Sequence, residues 1–166
     1  MIEFLKIRDV KDPKRNNGED AGIDFFVPEY NLIFHDDLLK KNPGLEIDYE
    51  GFVIQPHEAA LIPSGIKSKF DNNLALIAHN KSGVCTKTLL VVGAQVIDSS
   101  YQGEWHIHMI NTSNEKVYIK YGSKLTQFIP LYIYNGEFSV QENIPENEFF
   151  ENTTSRGAGG FGSTGI

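Results

Sequence analysis

Nine short runs of apolar or alternating residues, each bounded by turn residues, commit this chain to sheet more firmly than any other feature. They cover 2–7, 23–27, 51–54, 59–62, 74–78, 91–97, 105–110, 117–119 and 125–133. Successive side chains on a strand point to opposite faces, so the clean alternation after Trp105 predicts Trp105, Ile107 and Met109 on one face and His106, His108 and Ile110 on the other. So many short strands in 166 residues predict an all-β chain, built as a barrel or a sandwich of jelly-roll type. Helix is scarce. One short helix is expected near 82–89 and another at 36–42, where an acidic start and a basic end suit the helix dipole.

Residues 29–50 have mixed charge, Pro43-Gly44 and little alternation, and read as an insertion or surface excursion between two strands. After Tyr134 the alternation fades. The acidic, polar stretch 142–155 reads as a linker, which divides the chain into a barrel domain over 1–141 and a linker with a C-terminal arm over 142–166.

The arm ends in RGAGGFGSTGI, residues 156–166. Its glycines let backbone N–H groups approach phosphate oxygens, Ser163 and Thr164 add hydroxyl donors, and Arg156 offers a fork matched to phosphate. Phe161 has a flat face suited to a nucleobase. Composition alone weighs a flexible solvated end and a nucleotide lid about equally.

A hydrophobic content of 40% supports one real core. The net charge of −7 and the scattered lysines supply no basic stripe for a nucleic-acid polymer, yet a small polyanion remains possible where a few cations and a metal ion converge. The single cysteine, Cys85, excludes an internal disulfide and fits a reducing compartment; no base stands beside it in sequence, so it reads as a packed or surface thiol. No long apolar run and no signal-peptide layout is present, and a soluble protein without membrane contact is expected, in the cytoplasm or, for a viral source, the host cytoplasm.

Four further segments join a tight turn to polar groups: 20–24 (DAGID), 80–84 (NKSGV), 96–104 (VIDSSYQGE) and 122–127 (GSKLTQ). Singly, each is ordinary turn chemistry, with Asp98 a turn acid, Lys81 a solvated charge and Gln127 a polar strand residue. In this order, with the tail, they resemble the five motifs of the trimeric dUTPases (dUTP diphosphatases). The resemblance runs from near Asp20 to the C-terminus, omits 29–50, and is most specific in 97–103 and 156–165.

The resemblance implies hydrolysis of dUTP to dUMP and pyrophosphate, which limits uracil incorporation into DNA and supplies dUMP for dTMP synthesis. It also implies a jelly-roll-like β barrel with a flexible C-terminal arm, and a homotrimer whose sites are shared between subunits. Asp98 becomes the base that activates water for attack on the α-phosphorus. Tyr101 becomes the ring beneath the deoxyribose, where a 2′-hydroxyl clashes. Main-chain groups of a hairpin carrying Val96 and Ile97 on one strand and the neighbourhood of His106 on the other read uracil. Lys81, Ser82 and Gly83 match the phosphate loop. Gln127, Arg156, Gly162, Ser163 and Thr164 contact phosphates, and Phe161 covers the base. Asp24, with Gln127, stands near Mg²⁺, which the triphosphate and water hold with no direct protein ligand. Three positions depart from the pattern: Lys81 and Lys124 replace arginines, so no bidentate fork is available there, and Val92 replaces an asparagine.

Two other readings stay open at this stage. A dCTP deaminase shares fold and assembly but needs a glutamate poised near the base, for which Glu104 is the candidate. A nucleotide-gated binding module would use the same fold, with partner contacts sought in 29–50.

Overall fold

In the computed structural model, which describes residues 1–150, 152 and 154–159, the chain divides into two compact units, Met1–Tyr134 and a C-terminal unit from Asn135. The first unit holds β1 (Glu3–Lys6), β2 (Ile23–Phe26), α1 (Leu32–Lys41), β3 (Glu46–Ile47), β4 (Gly51–Ile54), β5 (Ala59–Pro63), β6 (Ile66–Lys69) and β7 (Leu74–Asn80). It continues with α2 (Ser82–Thr88), β8 (Leu90–Val92), β9 (Val96–Asp98), β10 (His106–Asn111), β11 (Val117–Lys120) and β12 (Lys124–Tyr132). The strands form four sheets, ordered β1-β6, β5-β10-β8, β11-β4-β3 and β2-β12-β7-β9, and every ladder is antiparallel. The jelly-roll expectation therefore holds in its all-β, antiparallel character. No closed barrel forms among the described residues, because separate sheets meet through side chains in place of a continuous ladder.

Four aromatic rings do much of that joining. Phe25 stacks on Trp105 at 5.0 Å, Phe128 tilts against both at 4.7 and 4.9 Å, and Phe4 meets Phe25 and Trp105 edge-on at 5.6 and 5.8 Å. These offset and edge-to-face geometries suit the ring quadrupoles, and they bind β1, β2, β12 and the start of β10 into one core. Trp105, Ile107 and Met109 are buried as the alternation predicts, while His106, His108 and Ile110 are half-buried.

The expected single run over 91–97 is two strands, β8 and β9, separated by Gly93, Ala94 and Gln95. Gly93 is required there: a Cβ would enter the His108 ring, whose Nδ1 accepts the Ala94 N–H at 2.9 Å. The hairpin expected between Val96–Asp98 and His106 is not a paired ladder. β9 pairs with β7, and β10 pairs with β5 and β8, because the intervening turn is anchored at Glu104 and Trp105 before β10 begins.

Helix α1 starts four residues before the predicted 36–42. Asn31 caps it by accepting the Phe34 N–H at 2.9 Å, and Lys40 and Lys41 lie in the last turn. Segment 29–50 is not wholly a surface excursion, since Phe34 and Leu38 are fully buried in the core. Asn42 closes the helix against β5, donating to Leu38 O at 2.8 Å and Leu61 O at 2.9 Å and accepting from Leu61 N at 2.7 Å.

Among its described residues the C-terminal unit contains one short helix, α3 (Glu146–Phe149), and the turn at 154–159. There Arg156 Nε donates to Gly159 O at 2.9 Å, and Gly157, at φ +49, donates its N–H to Thr154 Oγ1 at 3.2 Å. Phe161, Gly162, Ser163 and Thr164 lie outside the described residues.

Candidate active site

Two clusters of the predicted residues form at opposite ends of β7. The first is built on a cross-strand row: Asp24 of β2 faces Gln127 of β12, which faces His79 of β7. Asp24 is almost fully buried, and both of its oxygens are engaged, Oδ1 by Lys81 Nζ and Oδ2 by Lys124 Nζ at 2.8 Å. Burial pushes the Asp24 carboxyl up, but the hydrogen bonds from Lys124 and Lys81 outweigh it and hold the group below the usual carboxylate range. The two lysines that replace arginines thus converge on one carboxylate. Lys124 keeps a looser contact of 3.4 Å to Asn16 Oδ1.

Gln127 is held by Asn80, donating from Nε2 to its carbonyl at 3.0 Å, and Asn80 Oδ1 also accepts the Val92 N–H at 2.7 Å. Gly22 makes room for this side chain, since a Cβ there would occupy the place of Gln127 Oε1. Lys81 is the N-cap residue of α2, and Ser82 and Gly83, both exposed, open its first turn, where backbone N–H groups lack intrahelical partners. Lys81, Ser82, Gly83, Lys124 and Gln127 therefore belong together around Asp24, and these cations and donors suit a polyphosphate, with Asp24 holding the two lysines side by side. Cys85 lies on α2, half-buried.

The second cluster surrounds the turn after β9. Asp98, exposed, ends β9 opposite Ala75, at the start of β7. Ala75 and His79 are four residues apart on β7, so the Asp98 row and the Asp24–Gln127 row are separated by roughly 13 Å along the strand. A single chain does not bring Asp98 to the lysine cluster. Tyr101 N–H donates to Asp98 O at 3.1 Å and its hydroxyl donates to Glu104 O at 2.9 Å. Gly103 lies against that ring, since a Cβ would meet the Tyr101 hydroxyl and Cζ. Val96 and Tyr101 are exposed and Ile97 is half-buried, which leaves an open apolar face beside Asp98.

His106 is half-buried, and burial first, then the charge of Lys41, lower its pKa from the ordinary histidine value, so the neutral ring is favoured. Its Nε2 is buried without a hydrogen-bond partner. Glu104, the acid a deaminase would need, is already committed: its oxygens accept from Arg8 Nε at 2.7 Å, Arg8 Nη2 at 2.8 Å and Gly65 N at 2.8 Å. Asn80, Gly22 and Gly103 build the site without having been singled out from residue type, although all three sit inside the quoted motifs. Arg8 carried no motif signal at all.

No group of three or more His, Cys, Asp or Glu residues placed to hold a metal ion occurs among the described residues, and no helix among them is long and apolar enough to cross a membrane.

The model of the dUTPase family matches residues 44–165. A deoxyuridine 5′-triphosphate nucleotidohydrolase of Haemophilus influenzae is 37% identical over 119 residues, spanning 70% of this chain and 74% of the relative. One from Histophilus somni is 34% identical over 150 residues, spanning 87% and 90%. Among solved structures, the Staphylococcus bacteriophage 80alpha dUTPase with dUPNHPP superposes with a TM-score of 0.76 at 22% identity, covering 100% of this chain and 99% of that one. The dUTPase from phage phi11 of S. aureus gives 0.68 at 21% identity, covering 88% and 99%. These structures share the fold. The family match and the relatives, which cover most of both sequences, show that this chain belongs to the dUTPase family.

Proposed function

We propose that this chain is a dUTP diphosphatase, hydrolysing dUTP to dUMP and pyrophosphate. The observation that carries the reading is the turn 98–104, where an exposed carboxylate and a braced tyrosine ring stand beside an open apolar face in a chain of this family. The curated relatives named above act on deoxyuridine triphosphate. Asp98 takes a proton from water as the water oxygen bonds to the α-phosphorus and the bond from that phosphorus to the bridging oxygen of pyrophosphate breaks. Tyr101 supports the deoxyribose. Main-chain groups at Val96 and Ile97, with those near His106, select uracil over cytosine by leaving a buried donor unpaired with the wrong base. Lys81, Ser82, Gly83, Lys124 and Gln127 receive the phosphates, and the arm with Arg156, Phe161, Gly162, Ser163 and Thr164 closes over them.

The fit for Mg²⁺ is to an ion held through water. Asp24 is kept ionised and retains lone pairs beyond those its lysines use, and Gln127 faces it across the ladder. A phi11 phage dUTPase of the same fold coordinates a structural Mg(II) ion. When bound with the triphosphate, the ion neutralises phosphate charge; this chain supplies Asp24 and Gln127 to orient its waters.

A homotrimer follows from the same reading. The separation of roughly 13 Å along β7 between the Asp98 row and the Asp24 row supports sites assembled from different subunits. Product analysis with dUTP, dCTP, dTTP and UTP in magnesium buffer tests the function. Pyrophosphate and dUMP from dUTP alone is the expected result, and ammonia released from dCTP would overturn it. Light scattering of the active protein should give three times the chain mass, and a fully active monomer contradicts shared sites.

A further inference from the structure

Arg8, just beyond β1, meets helix α1 on one side and the turn 98–104 on the other. Its guanidinium holds both oxygens of Glu104, at 2.7 and 2.8 Å, and Nη2 also donates to Asp37 Oδ2 of α1 at 2.8 Å. Its Cζ stands 5.9 Å from the centre of the Phe34 ring of the same helix. The side chains of Arg8 and Glu104 keep only 12% and 13% of their exposure, so this fork is mostly shielded from solvent. Burial pushes the Glu104 carboxyl up, but the bonds from Arg8 and from Gly65 N–H hold it below the ordinary glutamate range. Gly65 reaches that position at φ +74, where a side chain would press on Arg8 and Val10.

Glu104 is bound at its other end as well. Its carbonyl accepts the Tyr101 hydroxyl at 2.9 Å, and the next residue, Trp105, is fully buried with its backbone N–H on Ile66 O at 2.9 Å. Neither Arg8, Asp37 nor Glu104 has a role in the chemistry described above. A partly buried bidentate pair is directional, and what it immobilises is the residue whose carbonyl braces the tyrosine.

We infer that Arg8 and Glu104 are positioning residues for Tyr101, setting the dUTP-over-UTP preference by fixing the ring beneath the sugar, and that Asp37 ties helix α1 to the same brace. The inference rests on the reading of Tyr101 as the support for the deoxyribose. Without Arg8, a shielded Glu104 carboxylate loses its partner and turns toward solvent. The Tyr101 hydroxyl then loses a fixed acceptor, the ring gains freedom, and a 2′-hydroxyl is admitted. The signature is a loss of selectivity.

The test measures kcat/KM for dUTP and UTP with magnesium on the full chain and its variants. In Arg8→Ala and Glu104→Gln the dUTP/UTP ratio should fall about tenfold, with a smaller fall in Asp37→Asn, mainly through a higher KM for dUTP and faster use of UTP. Partial unfolding scales both substrates together and leaves the ratio unchanged, so the ratio separates positioning from loss of folded protein. If Arg8→Ala does not fold, Arg8→Lys keeps the charge, removes the fork and should still lower the ratio. In a Tyr101→Phe background, which lacks the hydroxyl, adding Arg8→Ala should change the ratio little further. An unchanged ratio in both Glu104→Gln and the foldable Arg8 variant overturns the inference, as does an undiminished Arg8 effect in the Tyr101→Phe background. A wild-type chain with no preference between dUTP and UTP overturns the proposed function and this inference with it.

Discussion

Lys124 places its Nζ 2.8 Å from Oδ2 of Asp24, and this carboxylate, 3% exposed, accepts Lys81 on its other oxygen. Asp24 therefore keeps two point charges together in place of two guanidinium forks. Replacing it by asparagine would leave both lysines facing a weaker acceptor and each other, at a stability cost of about 2 kcal/mol, measurable as a lower urea midpoint.

The same pair makes stability depend on pH. The folded Asp24 and Glu104 carboxyls titrate below their unfolded values, so their stabilisation is complete above the unfolded carboxylate range and is lost as pH falls through the lower folded values. His106 has the same sign, because burial lowers its pKa and the unfolded chain takes the proton first. Urea midpoints should begin to fall as pH drops below about 6.5, through His106, and fall more steeply below about 4, through the carboxylates. Asp24→Asn should be shallower in the lower range only; an unchanged slope there would remove Asp24 from this account.

Asp98→Asn preserves size at an exposed strand end, so fold and dUTP-analogue affinity should persist while turnover falls about a hundredfold or more. Single-turnover kinetics beside calorimetric binding checks this. Near-normal turnover would place the base elsewhere.

Two glycines should respond oppositely to alanine. At Gly51 the new Cβ meets the Ile119 carbonyl of the paired strand, and the β4–β11 ladder must give way, costing about 2 kcal/mol or more. At Gly103 it meets the Tyr101 ring, which can swing aside at under about 1 kcal/mol but at the expense of its bond to Glu104 O. Thermal melts should single out Gly51→Ala, and dUTP/UTP selectivity should single out Gly103→Ala.

On helix α1, Phe34→Ala empties a fully buried site and should cost about 3 kcal/mol or more, whereas Ile33→Ala, at 72% exposed, should stay within about 0.5 kcal/mol. Equal effects would mean that α1 is not docked through Phe34.

Deleting 154–166 removes Arg156 and Phe161 but none of the core of the Met1–Tyr134 unit. On the proposed reading of the arm as a lid, melting temperature and oligomeric mass should persist while turnover falls severely, through loss of phosphate donors and of water exclusion. Full activity after truncation would refute the lid.

The sequence by itself determined the sheet, because period-two alternation is local: Trp105, Ile107 and Met109 could be assigned to the core from their spacing. It also determined the family, because the turn 97–103 and the tail 156–165 carry chemistry in contiguous residues. Elements with weak local patterns escaped it. Strand β6 offers one apolar residue, Ile66, before a run of lysines and serine, and is held by its ladder to β1. Helix α1 begins at Leu32 because Asn31 caps it and because the core receives Phe34 and Leu38, which charge patterning at Asp36 did not reveal. Only the tertiary structure decided the partners of Asp24 and Glu104. Lys81 and Lys124 lie 57 and 100 residues from Asp24, and Arg8 lies 96 from Glu104. Such ion pairs are selected by where strands β1, β2, β7 and β12 and the turn before β10 converge, and a charge in sequence has no spacing that announces a partner so far along the chain.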